Sequence, residues 1–320
     1  MPKLTKEEFI EKIKADEFEF EDIDLEGIDI SGFNFRELRN DQRVITIKNS
    51  NFNGANLSNS DMRGIDLCFV DLQEANLSNS KLPQIMQCNL EKSDLSGSYI
   101  AYTDSSSFRE TNFEGANTFY AIFTDCDLFK ANFSNVSFLL AEFYESNLST
   151  VNFSNSNLNG CKFVDSELNN SDFSNASVLA SNFNNINLSS ACFNKTFLKK
   201  SRFRGSNLTG AILNESKLEN SNFNSANLDG AKLQDAQIKD CTFRGTSLIK
   251  ADFYQALLEN VDFRKANFQG ANLRECTLKY VNLYLSDLTD AKLGFANLVQ
   301  VKHLSTAKLI RTDFHNTNIE

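Results

Sequence analysis

Residues 121–160 read AIFTDCDLFK ANFSNVSFLL AEFYESNLST VNFSNSNLNG. Every fifth residue is a large apolar one: Phe123, Leu128, Phe133, Phe138, Phe143, Leu148, Phe153, Leu158. Followed outward, the series runs from Phe113 to Leu298, 38 centres in which only Thr118 is not Phe, Leu, Ile or Val. Two residues before each centre the side chain is small. There Ala occurs sixteen times, Ser ten, Cys four, Val four and Thr three, with Ile186 as the one large exception. The residue just before the centre favours Asn and Asp, and the two after it are mostly polar. A helix repeats at 3.6 residues and a plain strand at 2, so neither produces a period of five. A coil with flat sides does. Each pentad is one side, with its centre and small residue turned inward and its backbone groups paired with the turns above and below.

A second period counts the sides. Residues 123, 143, 163, 183, 203, 223, 243 and 263 are all Phe, and 128, 148, 168, 188, 208, 228 and 248 are all Leu. A column starting at Phe113 continues through Phe133, Phe153, Phe173 and Phe193. Sorting by twenty means four pentads per turn and a square cross-section, with Phe on Phe and Leu on Leu up the inside.

The pattern resembles the pentapeptide-repeat family, whose motif Ala-(Asp/Asn)-Leu-x-x stands here as Ala55-Asn56-Leu57, Ala75-Asn76-Leu77, Ala226-Asn227-Leu228, Ala271-Asn272-Leu273 and Ala296-Asn297-Leu298. The resemblance covers residues 18–320 and implies an all-β fold. That fold is a right-handed quadrilateral parallel β-helix, a solenoid, here of about fourteen turns. Family members share a fold, and most have no assigned activity.

Three segments organise the chain. Residues 1–17 are expected to form a capping helix, with Thr5 as cap and Glu8 at the capping-box position. Its apolar residues Phe9, Ile10 and Ile13 share one face over the open end of the coil. Residues 18–46 make an atypical first turn, whose small sites hold Phe18, Ile23, Ile28 and Phe33, followed by an excursion over 36–46. Residues 47–320 are the repeat body, with slips near 83–85, 101–107 and 299–304.

Catalytic chemistry has no visible seat. Cys88, Cys126, Cys161, Cys241 and Cys276 occupy the small inward site, interchangeable with Ala and Ser, and no Cys-x-x-Cys occurs. His303 and His315 lie in no metal or nucleophile motif. Gly-rich phosphate loops are absent, and a filled interior leaves no substrate cavity. No enzyme, cofactor or metal is expected. With no long apolar run and no signal-like start, the reading is a cytoplasmic chain that does not cross a membrane. Net charge is −10, of which residues 1–41 contribute −7 from thirteen acids and six bases. The nearly neutral body argues against direct nucleic-acid binding and weakens whole-body DNA mimicry.

Function is therefore sought where outward positions break the polar rule. Phe119 and Tyr120, Leu139 and Leu140, Leu179 and, one level on, Phe197 would stack into an apolar strip that contacts an unidentified protein. The competing arrangements turn Phe119 inward beside Thr118 or cover the strip with a loop at 101–107. On the Phe-rich side, Asp125, Glu142, Glu145 and Asp165 precede Arg202, Arg204, Arg244, Arg264 and Lys265, a charge separation that would steer a partner. At the C-terminal end, Tyr280, Tyr284, Leu285 and Phe295 face outward and the final centres Leu304, Leu309, Phe314 and Ile319 need a lid. A homodimer through that end or a folded-over tail would supply one. The main reading is a non-enzymatic scaffold binding a protein along one side. The alternative is a DNA-mimicking topoisomerase (gyrase) binder conferring quinolone resistance, as the resemblance implies for some members.

Overall fold

The computed structural model describes residues 1–37, 44–82 and 84–320. The chain divides into two units, Met1–Ser156 and Asn157–Glu320. Most of the predicted excursion at 36–46 and the slip at Pro83 lie outside the described residues.

The first unit begins with α1 (Lys6–Lys14). The Glu8 amide donates to the Thr5 hydroxyl at 3.2 Å and the Thr5 amide donates to the Glu8 carboxylate at 2.8 Å, closing the capping box. Phe9 and Ile13 are fully buried. The Phe9 ring sits edge-on to Phe20 at 5.0 Å and to Phe35 at 6.5 Å, which seats α1 on the interior of the first turn.

Seven short strands follow: β1 (Glu19–Glu21), β2 (Ile45–Lys48), β3 (Ile65–Cys68), β4 (Gln84–Met86), β5 (Tyr102–Asp104), β6 (Ile122–Thr124) and β7 (Glu142–Tyr144). Each pairs in parallel with the next, with Ile47 on Leu67, Leu67 on Ile85, Ile85 on Thr103, Thr103 on Phe123 and Phe123 on Phe143. The other three walls are ladders of single parallel bridges, such as Asn51 to Asp71, Asn56 to Asn76 and Asp61 to Lys81. Four ladders per lap make the coil quadrilateral.

The lap is twenty residues where β5 meets β6, but eighteen where β3 meets β4 and β4 meets β5. The expected loop at 101–107 is a wall instead. Tyr102–Asp104 is a strand, and Thr103 takes an inward centre at 0% exposure. A Thr centre is invisible to a search for large apolar residues, which is why the slip reads as a loop in the sequence.

The second unit repeats the plan through β8 (Lys162–Val164), β9 (Ser177–Leu179), β10 (Phe197–Lys199), β11 (Lys217–Glu219), β12 (Gln237–Lys239), β13 (Leu257–Glu259), β14 (Thr277–Lys279), β15 (Asn297–Val299) and β16 (Asn318–Ile319). Strands β9 to β16 form one parallel sheet in chain order. Its register is twenty residues up to β15, with Leu278 on Leu298. The 3-10 turn Leu304–Thr306 then inserts one residue, so Leu298 meets Ile319. Rings 183, 203, 223 and 243 stack at 4.7–4.8 Å with planes within 4°.

The corner chemistry explains the rest of the pentad. Two residues after each centre the backbone enters the left-handed region, as at Tyr120, Asp125, Lys130, Asn135, Leu140 and Glu145. The Asn or Asp before the centre accepts the amide two residues on, for example Ser134 N–H to Asn132 Oδ1 at 3.2 Å, and so holds the turn. Amides also climb the wall, Asn152 donating to Asn132 and Asn132 to Asn112, each at 3.0 Å. Where the small site is Ser, its hydroxyl donates to an otherwise buried carbonyl, as Ser206 does to Phe203 at 2.6 Å.

Candidate protein-contact surfaces

In the first unit Thr118 is fully buried and its hydroxyl donates to the Ser137 carbonyl at 3.2 Å. Phe119 therefore points outward. It is 42% exposed, Tyr120 58% and Leu140 42%, while Leu139 is half-buried. The Phe119 and Tyr120 rings meet edge-to-face at 4.3 Å. Tyr99, one lap earlier, is also exposed and lines a shallow groove of about 470 Å³ with Gly115, Asn117, Phe119, Asn135 and Ser137. Tyr99 escaped the sequence reading because an eighteen-residue lap places it beside Asn117 and breaks the twenty-residue column.

In the second unit Leu179 is exposed, and the Asn159 side chain accepts its amide at 2.9 Å. Phe197 is half-buried, with the Lys199 ammonium 5.8 Å from its ring centre. Leu257, not singled out from the sequence, is 44% exposed beside Lys239 and Glu259. Only the short separation of two apolar residues, Leu257 and Leu258, could have marked it.

The charged residues sort by wall. On the wall of the second unit that carries the Phe stack, Arg202, Arg204, Arg244 and Lys265 are exposed and Arg264 is half-buried. Asp262 stands between Arg244 and Arg264. It accepts Arg244 Nε at 2.6 Å and Arg264 Nη2 at 2.9 Å. Burial pushes the Asp262 carboxyl up, but the two guanidinium hydrogen bonds outweigh it and hold it below its ordinary range. Arg244, Arg264, Lys265 and Tyr284 line a cleft of about 390 Å³. In the first unit, Asp125 and Glu145 are exposed, and Glu142 accepts the Tyr144 hydroxyl. Asp165 is exposed in the second unit.

Several small interior sites hold buried thiols. Cys241 and Cys276 are pushed by burial up to about 12 and Cys88 up to about 11, so these thiols stay protonated. Among the described residues no cluster of three or more His, Cys, Asp or Glu is placed to hold a metal ion. No described helix is long and apolar enough to cross a membrane. The final lap is uncovered, with Leu309 37% and Ile319 59% exposed.

Pentapeptide repeats in eight copies match residues 50–84, 106–138, 121–160, 146–178, 236–274 and 266–302, and a pentapeptide repeat region matches 178–253. The chain belongs to the pentapeptide-repeat family. Similar solved structures include HetL, a pentapeptide-repeat protein involved in heterocyst differentiation regulation from the cyanobacterium Nostoc sp. strain PCC 7120. It is 19% identical over 93% of this chain and 98% of its own, with a TM-score of 0.31. A trypsin-treated form of QnrB1, a plasmid-mediated fluoroquinolone resistance protein, is 23% identical over 68% and 92%, with a TM-score of 0.29. Rfr23 from the cyanobacterium Cyanothece 51142 is 31% identical over 32% and 64%, with a TM-score of 0.17. No curated protein sequence matches the chain.

Proposed function

We propose that the chain is a non-enzymatic repeat scaffold that binds another protein through the outward apolar strip of its first unit. One observation carries this reading. Phe119, Tyr120 and Leu140 are held outward on a hydrogen-bonded wall beside Tyr99 and Leu139, at an exposure that leaves their apolar surface in water. Aromatic anchors fixed by a β-scaffold lose little conformational freedom on contact, which favours binding. Free, mostly interior cysteines support a reducing compartment, the cytoplasm.

The test is a paired variant, Phe119→Ser with Leu140→Ser, beside the full chain. Both substitutions lie on the surface, so circular dichroism and the unfolding midpoint should stay near wild type. A partner captured by wild type should be lost by the double variant and kept by Asn175→Ser. Retention by the double variant would end the reading.

A second reading, topoisomerase binding by DNA mimicry, finds support in the first unit, whose β-strand wall carries Glu21, Asp22, Asp66, Asp104, Asp125 and Glu145. The arginines of the second unit oppose it, because a phosphate-like stripe needs continuous negative charge. Inhibition of gyrase supercoiling by the added protein would favour it over the scaffold reading.

A further inference from the structure

Two walls of this chain carry opposite charge in excess. The strand wall of the first unit holds Glu19, Glu21, Asp22, Asp66, Asp104, Asp125, Glu142 and Glu145, with Lys48 the one cation on it among the described residues. The Phe-stack wall of the second unit holds Lys162, Arg202, Arg204, Arg244, Arg264, Lys265 and Lys302 against two carboxylates, Asp165 and Asp262. The neighbouring wall of the same unit is different, since its Lys199 pairs with Glu219 at 2.9 Å and its Lys239 with Glu259 at 3.4 Å. Arg202, Arg204 and Lys265 have no ion-pair partner among the described residues.

We propose that the basic wall of the second unit docks on the acidic wall of the first unit of another copy of this chain. The proposal is independent of the apolar strip. Three observations argue for a second copy over other anions. Its complement is encoded in the same sequence. Both walls are built on the same lap spacing of about 4.8 Å, so rows of charge on one stay in register with rows on the other. The shared corner position reinforces this: Asp125, Glu145 and Lys265 all stand two residues after a centre, in the left-handed backbone that projects side chains outward. A nucleic acid would meet the basic wall but be repelled by a chain of net charge −10. The cleft of Arg244, Arg264, Lys265 and Tyr284 gives the contact a centre lined by three cations.

The experiment is sedimentation velocity of the full chain in about 0.01 M salt, where the Debye length is about 30 Å, and about 1 M, where it is about 3 Å. The expected result is an average mass above the 36.0 kDa of one chain at low salt, and one-chain mass at high salt. A single one-chain species at low salt, or association that survives high salt, would overturn the proposal. Two variants then locate the contact. Arg202→Glu, Arg204→Glu and Lys265→Glu reverse the basic wall without touching the Asp262 cluster. Asp104→Lys, Asp125→Lys and Glu145→Lys reverse the acidic one. Each should be a single chain alone, with wild-type circular dichroism, and an equimolar mixture should associate again because one wall of each is intact. If the mixture stays dissociated while both fold, the walls are not partners. If association ignores both reversals but is lost on Leu309→Ser with Ile319→Ser, the uncovered final lap is the interface and the proposal fails.

Discussion

Replacing Phe203 by Ala removes one ring from the middle of a stack. Phe203 is fully buried, with Phe183 at 4.8 Å on one side and Phe223 at 4.7 Å on the other, the planes within 4° and 2°. A buried Phe withdraws about 150–250 Å² from water, worth about 4–6 kcal/mol at about 25 cal/mol per Å². Ala retains part of that burial, and measured Phe-to-Ala costs in cores run at about 3–5 kcal/mol. The lower neighbours cannot slide up to fill the void, because each lap is pinned by wall hydrogen bonds such as Arg202 N–H to the Ser181 carbonyl at 3.0 Å. A loss of about 3–5 kcal/mol is therefore expected in denaturant unfolding followed by circular dichroism. Faster amide exchange should appear first at Asn182, Arg202 and Asn222, in the laps that border the void. Phe203→Leu should cost clearly less, since Leu283 already serves the same column. A loss under about 1 kcal/mol, the size of a surface change, with exchange unaltered, would refute the stacked interior.

Alkaline pH should destabilise the fold through its thiols. Burial keeps Cys241 and Cys276 up at about 12 and Cys88 at about 11 against an ordinary 9.0, so the unfolded chain sheds these protons first and stability falls as pH rises above 9.0. Unfolding midpoints measured across that range should fall less steeply for Cys241→Ala with Cys276→Ala, and an unchanged slope would count against buried thiols. Removing the helix cap by Thr5→Ala should cost about 1 kcal/mol, read as a lower midpoint that Thr5→Ser restores. A cost near zero would mean that α1 does not depend on its capping box.

The interior was legible because packing is its only demand: a large side chain per wall and a small one per corner, sorted by column. The capping box at Thr5 and Glu8 was equally local and equally readable. The slip near residue 103 was misread, because its inward Thr looks polar while its register makes it a centre. The surfaces were harder. Phe119 and Leu140 break the polar rule and stand out, yet whether they are covered depends on backbone that no pentad count describes. Tyr99 joins them only through a shortened lap. The pairing of Arg244 and Arg264 on Asp262 spans residues 18 and 2 apart, so the cationic wall is less free than its composition reads, whereas Arg202, Arg204 and Lys265 keep their charge available.

Deleting chain from one lap measures the twenty-residue winding itself. Loss of residues 204–223 removes a whole lap, so Phe203 takes the place of Phe223 beneath Phe243 and every later centre keeps its wall. Loss of only 204–208 keeps the pentad frame but moves Phe223, Phe243 and Phe263 off the Phe stack and onto the column of Leu198. The unfolding midpoint of the twenty-residue deletion should stay close to wild type, and that of the five-residue deletion should fall well below it. If the shorter deletion is the milder one, the laps do not have the length on which every surface described above depends.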